Sequence, residues 1–123
     1  MATVLVADDD ADIRDLVAYK LQQAGHKVVS VADGSAAVTA ARDLLPDLAI
    51  VDVTMAGLSG IQVCAALRAE AATAAIPVIL LSAGAHSGDS VSGMAAGAVD
   101  YVTKPFSPRE LVQRVEALLA GGR

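Results

Sequence analysis

Short apolar segments alternate with amphipathic segments along the whole chain. Five segments of strand length are almost continuously apolar and rich in Val, Ile and Leu, which is typical of parallel strands buried on both faces of a sheet. The predicted strands cover residues 3–7, 27–31, 48–51, 77–81 and 99–103. The pattern therefore predicts a five-stranded parallel sheet.

Between the predicted strands, apolar residues recur at the three- and four-residue spacing of one helix face. The clearest helical patterns cover residues 13–24, 37–44, 61–67 and 111–119. The second of them opens at a turn formed by Asp33, Gly34 and Ser35. A further helix, predicted over residues 88–96, is the weakest because two glycines and two serines lower its helix propensity.

Strands and helices thus alternate from one end of the chain to the other. Such alternation predicts an α/β fold with helices on both faces of the sheet. Right-handed crossovers between parallel strands restrict the topology to a few arrangements. The chain has 123 residues, which is the usual size of one domain, so we expect a single domain over residues 1–123.

Composition excludes several classes of protein. One cysteine and two histidines on unrelated segments leave no material for a disulfide or a His/Cys-rich metal site. The net charge of −5 argues against a nucleic-acid-binding surface, which normally needs a basic patch. No apolar run approaches the ~18 residues of a membrane span, and the first residues do not resemble a signal peptide. We therefore expect a cytoplasmic protein that contacts neither membrane nor nucleic acid.

Polar side chains directly follow four of the five predicted strands. They are Asp8 and Asp9 after the first strand, Asp52 after the third, Ser82 after the fourth and Lys104 after the fifth. Because ligands bind beyond the carboxyl ends of parallel strands, we expect these groups to meet at one edge of the sheet. Neighbouring carboxylates repel one another and favour a bound cation. Oxygen ligands select a hard ion, so the sequence predicts Mg²⁺, with Mn²⁺ or Ca²⁺ as alternatives.

The same groups indicate a reaction. A carboxylate, a hard cation, a hydroxyl and an ammonium group are the components that transfer of a phosphoryl group to a carboxylate requires. In this interpretation Asp52 is the nucleophile and Ser82 hydrogen-bonds a phosphoryl oxygen. The cation and Lys104 neutralise the charge of the transferring group.

These residues lie in stretches that resemble the receiver domain of bacterial two-component response regulators, in particular the single-domain, chemotaxis-regulator-like members. The stretches are VLVADDDADIRDLV, PDLAIVD ending at Asp52, PVILLSA around Ser82 and AGAVDYVTKPF around Lys104. The resemblance covers essentially the whole chain. It implies a flavodoxin-like (βα)5 fold, a doubly wound three-layer sandwich with strand order 2-1-3-4-5.

The resemblance also implies a role for each site residue. Asp52 would accept a phosphoryl group from the phosphohistidine of a histidine kinase. Asp9, Asp52 and the backbone carbonyl of Thr54 would bind Mg²⁺ directly, and Asp8 would act through water. The family commonly has Pro at the position of Ala56 and Asp at that of Ser59, so the resemblance predicts a looser loop after Asp52.

A second group of residues is implied to respond to phosphorylation. Ser82 and Tyr101 resemble the two switch residues, and Lys104 would pair with a phosphoryl oxygen. The bond between Lys104 and Pro105 is expected to be cis. Movement of the switch residues would change the surface formed by the fourth helix, the fifth strand and the fifth helix.

The implied partners follow from this mode of action. They are a sensor histidine kinase or phosphotransfer protein upstream, and downstream either an effector protein or a C-terminal output domain that this chain lacks. A dimer induced by phosphorylation is a further expectation. The domain would not be an enzyme, except that it assists its own phosphorylation and dephosphorylation.

Two other functions remain open at this stage. A Mg²⁺-dependent, phosphatase-like hydrolase would use Asp52 as a transient nucleophile. The haloacid dehalogenase class works in this way, but it normally carries a second Asp where this chain has Thr54. A receiver-shaped interaction module that takes no phosphate would have no need to keep Asp9, Ser82 and Lys104 together with Asp52.

Overall fold

Five parallel strands form one sheet in the computed structural model, which describes residues 2–83 and 92–121. The strands are β1 (Thr3–Ala7), β2 (Lys27–Val31), β3 (Leu48–Asp52), β4 (Val78–Ser82) and β5 (Asp100–Thr103). All neighbouring pairs are parallel, and the spatial order is β2-β1-β3-β4-β5. The predicted parallel sheet and its strand order are confirmed.

A helix follows each of the five strands. The helices are α1 (Ala11–Gln23), α2 (Gly34–Leu44), α3 (Gly60–Ala69), the described part of α4 at residues 92–95, and α5 (Pro108–Gly121). Residues 88–91 of the predicted weak helix lie outside the described residues. No helix in the described ranges combines the length and the apolar character needed to cross a membrane.

The sheet lies between two layers of helices because successive residues of a strand point to opposite faces. Leu5 belongs to an apolar cluster that includes side chains of α2 and α3. Its neighbour Val4 belongs to a second cluster that includes side chains of α1 and α5. This arrangement confirms the three-layer, doubly wound sandwich.

Two strands end one residue later than the apolar pattern predicts. The Cα of Asp52 is paired with that of Leu81, and the backbone N–H of Val53 donates to the Leu81 carbonyl at 2.7 Å. Sheet pairing therefore continues past the apolar run, and Asp52 and Ser82 are the last residues of β3 and β4. Both side chains consequently start from a fixed backbone rather than from a loop.

The edges of the sheet are less buried than the sequence pattern predicts. β3 and β4 are buried at every residue, whereas every residue of β2 is exposed or half-buried. The difference arises because β2 lies at an edge, where only one neighbouring strand covers it. Burial on both faces is thus correct for the central strands only.

Hydrogen bonds between Thr3 and Asp47 also fix the amino-terminal rim of the sheet, on the side away from Asp52. The N–H of Thr3 donates to the Asp47 carboxylate and the N–H of Asp47 donates to the Thr3 carbonyl, both at 2.8 Å. A groove at this rim is lined by Ala2 and, from the end of α5, by Leu119 and Ala120. The first strand and the last helix therefore meet on the same side of the molecule.

Candidate functional site

Three strands deliver charged groups to one point at the carboxyl-terminal rim. Asp8 directly follows β1, Asp52 ends β3, and Lys104 directly follows β5. The Lys104 Nζ lies 3.0 Å from Asp8 Oδ2 and 3.4 Å from Asp52 Oδ2. One carboxylate oxygen from each of Asp8, Asp9 and Asp52 lies within 4.8 Å of the other two. The structure therefore brings together four of the residues that the sequence analysis singled out.

Asp8 is fully buried and both of its oxygens are engaged. Oδ1 accepts a hydrogen bond from the N–H of Asp10 at 2.9 Å, and Oδ2 accepts one from Lys104. The Arg14 guanidinium donates to the backbone carbonyl of Asp8 at 2.9 Å. Sequence reasoning did not single out Arg14. Its position in α1, six residues after Asp8, could have indicated this contact, because a long side chain there can reach back to the end of β1.

The acidic residues after β1 have two roles: Asp9 belongs to the carboxylate cluster, and Asp10 caps the start of α1. Asp9 is exposed, so it is the carboxylate of the cluster that faces solvent. Asp10 is the N-cap of α1, and its side chain accepts hydrogen bonds from the N–H groups of Asp12 and Ile13 at 3.0 and 3.4 Å. An acidic residue at this position is favoured by capping and by the helix dipole.

The environment of Asp52 raises its pKa from 3.8 to about 6. Burial is the main cause, since removal from water disfavours the charged carboxylate, and the negative charge of Asp8 adds to it. The positive charge of Lys104 and hydrogen bonds from Lys104 and the Thr54 backbone oppose the shift. Asp52 is therefore mostly ionised at neutral pH, but its charge is poorly compensated, which favours a bound cation.

The pKa of Lys104 is raised above its usual value. Burial alone would lower it, but the hydrogen bond to Asp8 and the negative charges of Asp52 and Asp8 outweigh that effect. Lys104 therefore carries a full positive charge at neutral pH, between two carboxylates. An ammonium group placed there is suited to attract a phosphoryl group.

The loop from Val53 to Ser59 leaves the site and leads into α3. Val53 and Met55 are buried in the core and Thr54 is exposed. Ser59 is the N-cap of α3 and forms a capping box with Gln62, in which each side chain accepts a hydrogen bond from the other residue's backbone. Although Ser59 departs from the residue common in the family, it anchors the end of this loop.

The two implied switch residues lie on the neighbouring strands. Ser82 is 2% exposed and pairs in register with Thr103 at the ends of β4 and β5. Tyr101 pairs with Leu80 and packs against the apolar cluster on the α2–α3 side of the sheet. Its hydroxyl is buried and has no hydrogen-bond partner in the part of the chain that the structure describes. Tyr101 does not belong to the carboxylate cluster. The bond between Lys104 and Pro105 is cis, which confirms the prediction for that bond.

Comparisons with known proteins agree with this geometry. The sequence matches the response regulator receiver domain family over residues 4–116. The DNA-binding response regulator MtrA of Mycobacterium tuberculosis is 41% identical over 116 residues, which are 94% of this chain and 50% of that protein. The phosphate regulon transcriptional regulatory protein PhoB of Escherichia coli is 42% identical over 116 residues, 94% of this chain and 51% of that protein. The chain thus spans about half the length of the curated relatives it matches.

Solved structures give the same result for the fold. The chemotaxis response regulator CheY4 of Vibrio cholerae superimposes with a TM-score of 0.90 at 32% identity, covering 96% of this chain and 98% of that one. The Francisella response regulator 1452 receiver domain gives a TM-score of 0.92 at 33% identity, covering 100% of both chains. The chain belongs to the response regulator receiver domain family. It is a signalling domain of phosphorylation-dependent two-component systems.

Proposed function

We propose that this domain accepts a phosphoryl group on Asp52 in the presence of Mg²⁺, with Mn²⁺ as a substitute. The observation that carries the proposal is the convergence of the Asp8, Asp9 and Asp52 carboxylates within 4.8 Å, with the Lys104 ammonium 3.0 Å from Asp8 and 3.4 Å from Asp52. Bringing several charged groups together in a partly buried site costs free energy. Such clusters are typical of functional sites, here one that binds a cation and an anion.

The donor set fits a small, hard divalent cation. Carboxylate and carbonyl oxygens are the ligands Mg²⁺ prefers, usually with several waters retained. Asp9 and Asp52 would bind it directly, together with the Thr54 carbonyl. Asp8 would act through water, which agrees with the engagement of both its oxygens by Asp10 and Lys104. When bound, the ion neutralises negative charge on the oxygens of the transferring group.

The transfer step needs one nucleophile and one leaving group. An Asp52 oxygen attacks the phosphorus of a phosphohistidine, so an O–P bond forms while the P–N bond breaks. The electron pair of that bond stays on the imidazole nitrogen of the donor. Lys104 neutralises the transferred group, and Ser82 at the end of the adjacent strand donates a hydrogen bond to one of its oxygens.

We assign the response to phosphorylation to Ser82 and Tyr101. Recruitment of Ser82 toward the phosphoryl group opens space next to β5, and the Tyr101 ring moves into it. Support comes from the buried Tyr101 hydroxyl, which lacks a partner among the described residues and thus gains from reaching one. The surface formed by α4, β5 and α5 then changes its affinity for partners, with a coupling of about 1–3 kcal/mol.

The partners in this proposal are proteins. A sensor histidine kinase or phosphotransfer protein supplies the phosphoryl group, and an effector protein or a C-terminal output domain reads the altered surface. Dimer formation through that surface is a further proposed readout. Because the chain has nine basic and fourteen acidic residues, this domain itself would not bind nucleic acid. We place the domain in the cytoplasm.

Phosphorylation by a small phosphodonor tests the proposal. The protein is incubated with phosphoramidate and MgCl₂, and intact mass and peptide mapping follow. We expect one stoichiometric, base-labile phosphoryl group on Asp52, none without divalent cation, and none in Asp52→Ala. The control Asp43→Ala, an exposed change on α2, should be labelled like the wild type. Labelling elsewhere would contradict the proposal, and repeated turnover of phosphoesters would favour the hydrolase alternative.

A further inference from the structure

The turn that follows β2 gives no side chain to the carboxylate cluster, yet it reaches the segment that follows Asp52. The turn Asp33-Gly34-Ser35 opens α2, and the N–H of Gly34 donates to the carbonyl of Ala56 at 3.3 Å. Ala56 lies in the middle of the loop between β3 and α3. The first turn of α2 therefore contacts the loop directly.

The approach of the two backbones is close enough to require glycine. A Cβ atom on Gly34 would overlap the carbonyl oxygen of Leu58 and lie 2.7 Å from both the carbonyl carbon and the Cβ of Leu58. Carbonyl atoms of the main chain cannot move away as the end of a flexible side chain can. Any side chain at position 34 would therefore displace the loop or the start of α2.

The other end of the loop is held in a similar way. A Cβ atom on Gly60 would overlap the carbonyl oxygen of Asp52 itself, and the N–H of Gly60 donates to the Val53 carbonyl at 2.9 Å. The loop is thus fixed where it leaves Asp52 and again at Leu58. Thr54 lies between these two fixed points.

We propose that Gly34 is a positioning residue for the phosphorylation site. By letting the first turn of α2 pack directly on Leu58 and Ala56, it holds the loop so that the Asp52 carboxylate and the Thr54 carbonyl converge on one cation. This role rests on the proposed function of Asp52. It is a role of the main chain, because Gly34 has no group that could touch the ion or the phosphoryl group.

The effect of Gly34→Ala on the loop can be separated from its effect on helix propensity, because the two act in opposite directions. Gly34 is the first residue of α2 and its backbone is not left-handed. Alanine has the higher intrinsic helix propensity of the two residues. A loss caused by alanine would therefore have to come from the contact with the loop.

The variant Gly34→Ala tests this role against Gly121→Ala, whose added Cβ would meet no atom within 4 Å. Mg²⁺ affinity is measured by calorimetry, and the rate of phosphorylation by phosphoramidate is measured at saturating Mg²⁺. Both are taken at a temperature where unfolding curves show each variant fully folded. We expect Gly34→Ala to weaken Mg²⁺ binding and slow phosphorylation about tenfold or more, with Gly121→Ala unchanged. A Gly34→Ala protein that differs from wild type only in its melting temperature would overturn the proposal.

A measurement on the wild-type protein avoids any dependence on how the variant folds. The Gly34 amide donates to the loop, whereas the Ala36 amide in the same turn donates to the Asp33 side chain at 2.8 Å. If the loop and Gly34 are coupled, Mg²⁺ should slow hydrogen exchange at Gly34 more than at Ala36. An unchanged ratio of the two rates would contradict the proposal. Failure of the wild type to bind Mg²⁺ or to accept phosphate would instead contradict the function assigned to Asp52.

Discussion

Asp52 is an acid of the site whose pKa the fold raises, from 3.8 to about 6. Its carboxylate is almost fully buried next to the buried Asp8, and among the described residues only Lys104 lies within ion-pair distance of both. The raised pKa of Asp52 means that the folded state holds a proton at this position more tightly than the unfolded chain does. The contribution of Asp52 to folding stability therefore decreases as the pH rises.

We expect Asp52→Asn to stabilise the metal-free protein near neutral pH. An acid whose pKa rises from 3.8 to about 6 on folding stabilises the fold below pH 3.8, and this contribution is lost as the pH rises through about 6. Asn cannot ionise, so its advantage over Asp should grow from about 0.5 kcal/mol around pH 4 to as much as about 3 kcal/mol at pH 7.5. Urea unfolding at both pH values in the presence of EDTA measures it.

The matched control for that experiment is Asp15→Asn, an exposed change within α1. Asn and Asp have similar helix propensities. The effect of Asp15→Asn on the free energy of unfolding should change little over the same pH interval. Equal pH dependence for the two variants would show that burial of Asp52 is not the cause.

Individual residues also show what a sequence can and cannot predict. Asp8, Asp52 and Lys104 could be assigned because the end of a strand in a parallel sheet has a known location. Arg14 and Gly34 could not, since their roles depend on how closely a helix approaches a strand end or a loop. Such distances are set by packing in three dimensions and leave no periodic trace in the chain.

At the scale of elements, the loop between β3 and α3 connects the site to the rest of the fold. The periodicity of α3 predicted its core, but not that Ser59 and Gln62 would close its first turn. Capping depends on single residues, whereas the apolar pattern averages over many. Strand ends were misplaced by one residue for a similar reason, because Asp52 and Ser82 continue the pairing without continuing the apolar run.

The capping box at the start of α3 makes a measurable contribution. We expect Ser59→Ala to lower the free energy of unfolding by about 0.5–2 kcal/mol, because the N–H of Gln62 loses its acceptor. Ser59→Asp restores an acceptor and should stay close to the wild type. Chemical denaturation of the three proteins compares them. Equal loss in both variants would show that the cap is not the source of the effect.

At the scale of the whole molecule, cation binding and folding are linked. The three carboxylates converge only in the folded chain, so an ion that binds them stabilises the fold by an amount set by its concentration relative to Kd. We expect MgCl₂ at about one hundred times its Kd to add about 2.7 kcal/mol to the free energy of unfolding, and EDTA to reverse this.

The size of this effect should depend on the cluster and on pH. Asp9→Asn should lose most of the stabilisation, whereas Asp12→Asn, an exposed change in the first turn of α1, should keep it. The gain should also be smaller at pH 5 than at pH 7.5, because a proton on Asp52 competes with the ion below its pKa of about 6. Thermal melts at matched ionic strength report both comparisons, and equal stabilisation of all variants would point to a general salt effect.

The groove at the amino-terminal rim has a consequence for protein engineering. Because Ala2 and Ala120 line the same groove, a short flexible linker could join them and convert the chain into a ring. The ring could then be reopened at Gly25, a turn residue with open space around it. Such a circular permutant would start with β2 instead of β1 while leaving the opposite rim intact. Folding of this permutant would show whether the domain needs the natural chain order of its strands, or only the same neighbouring strands in the finished sheet.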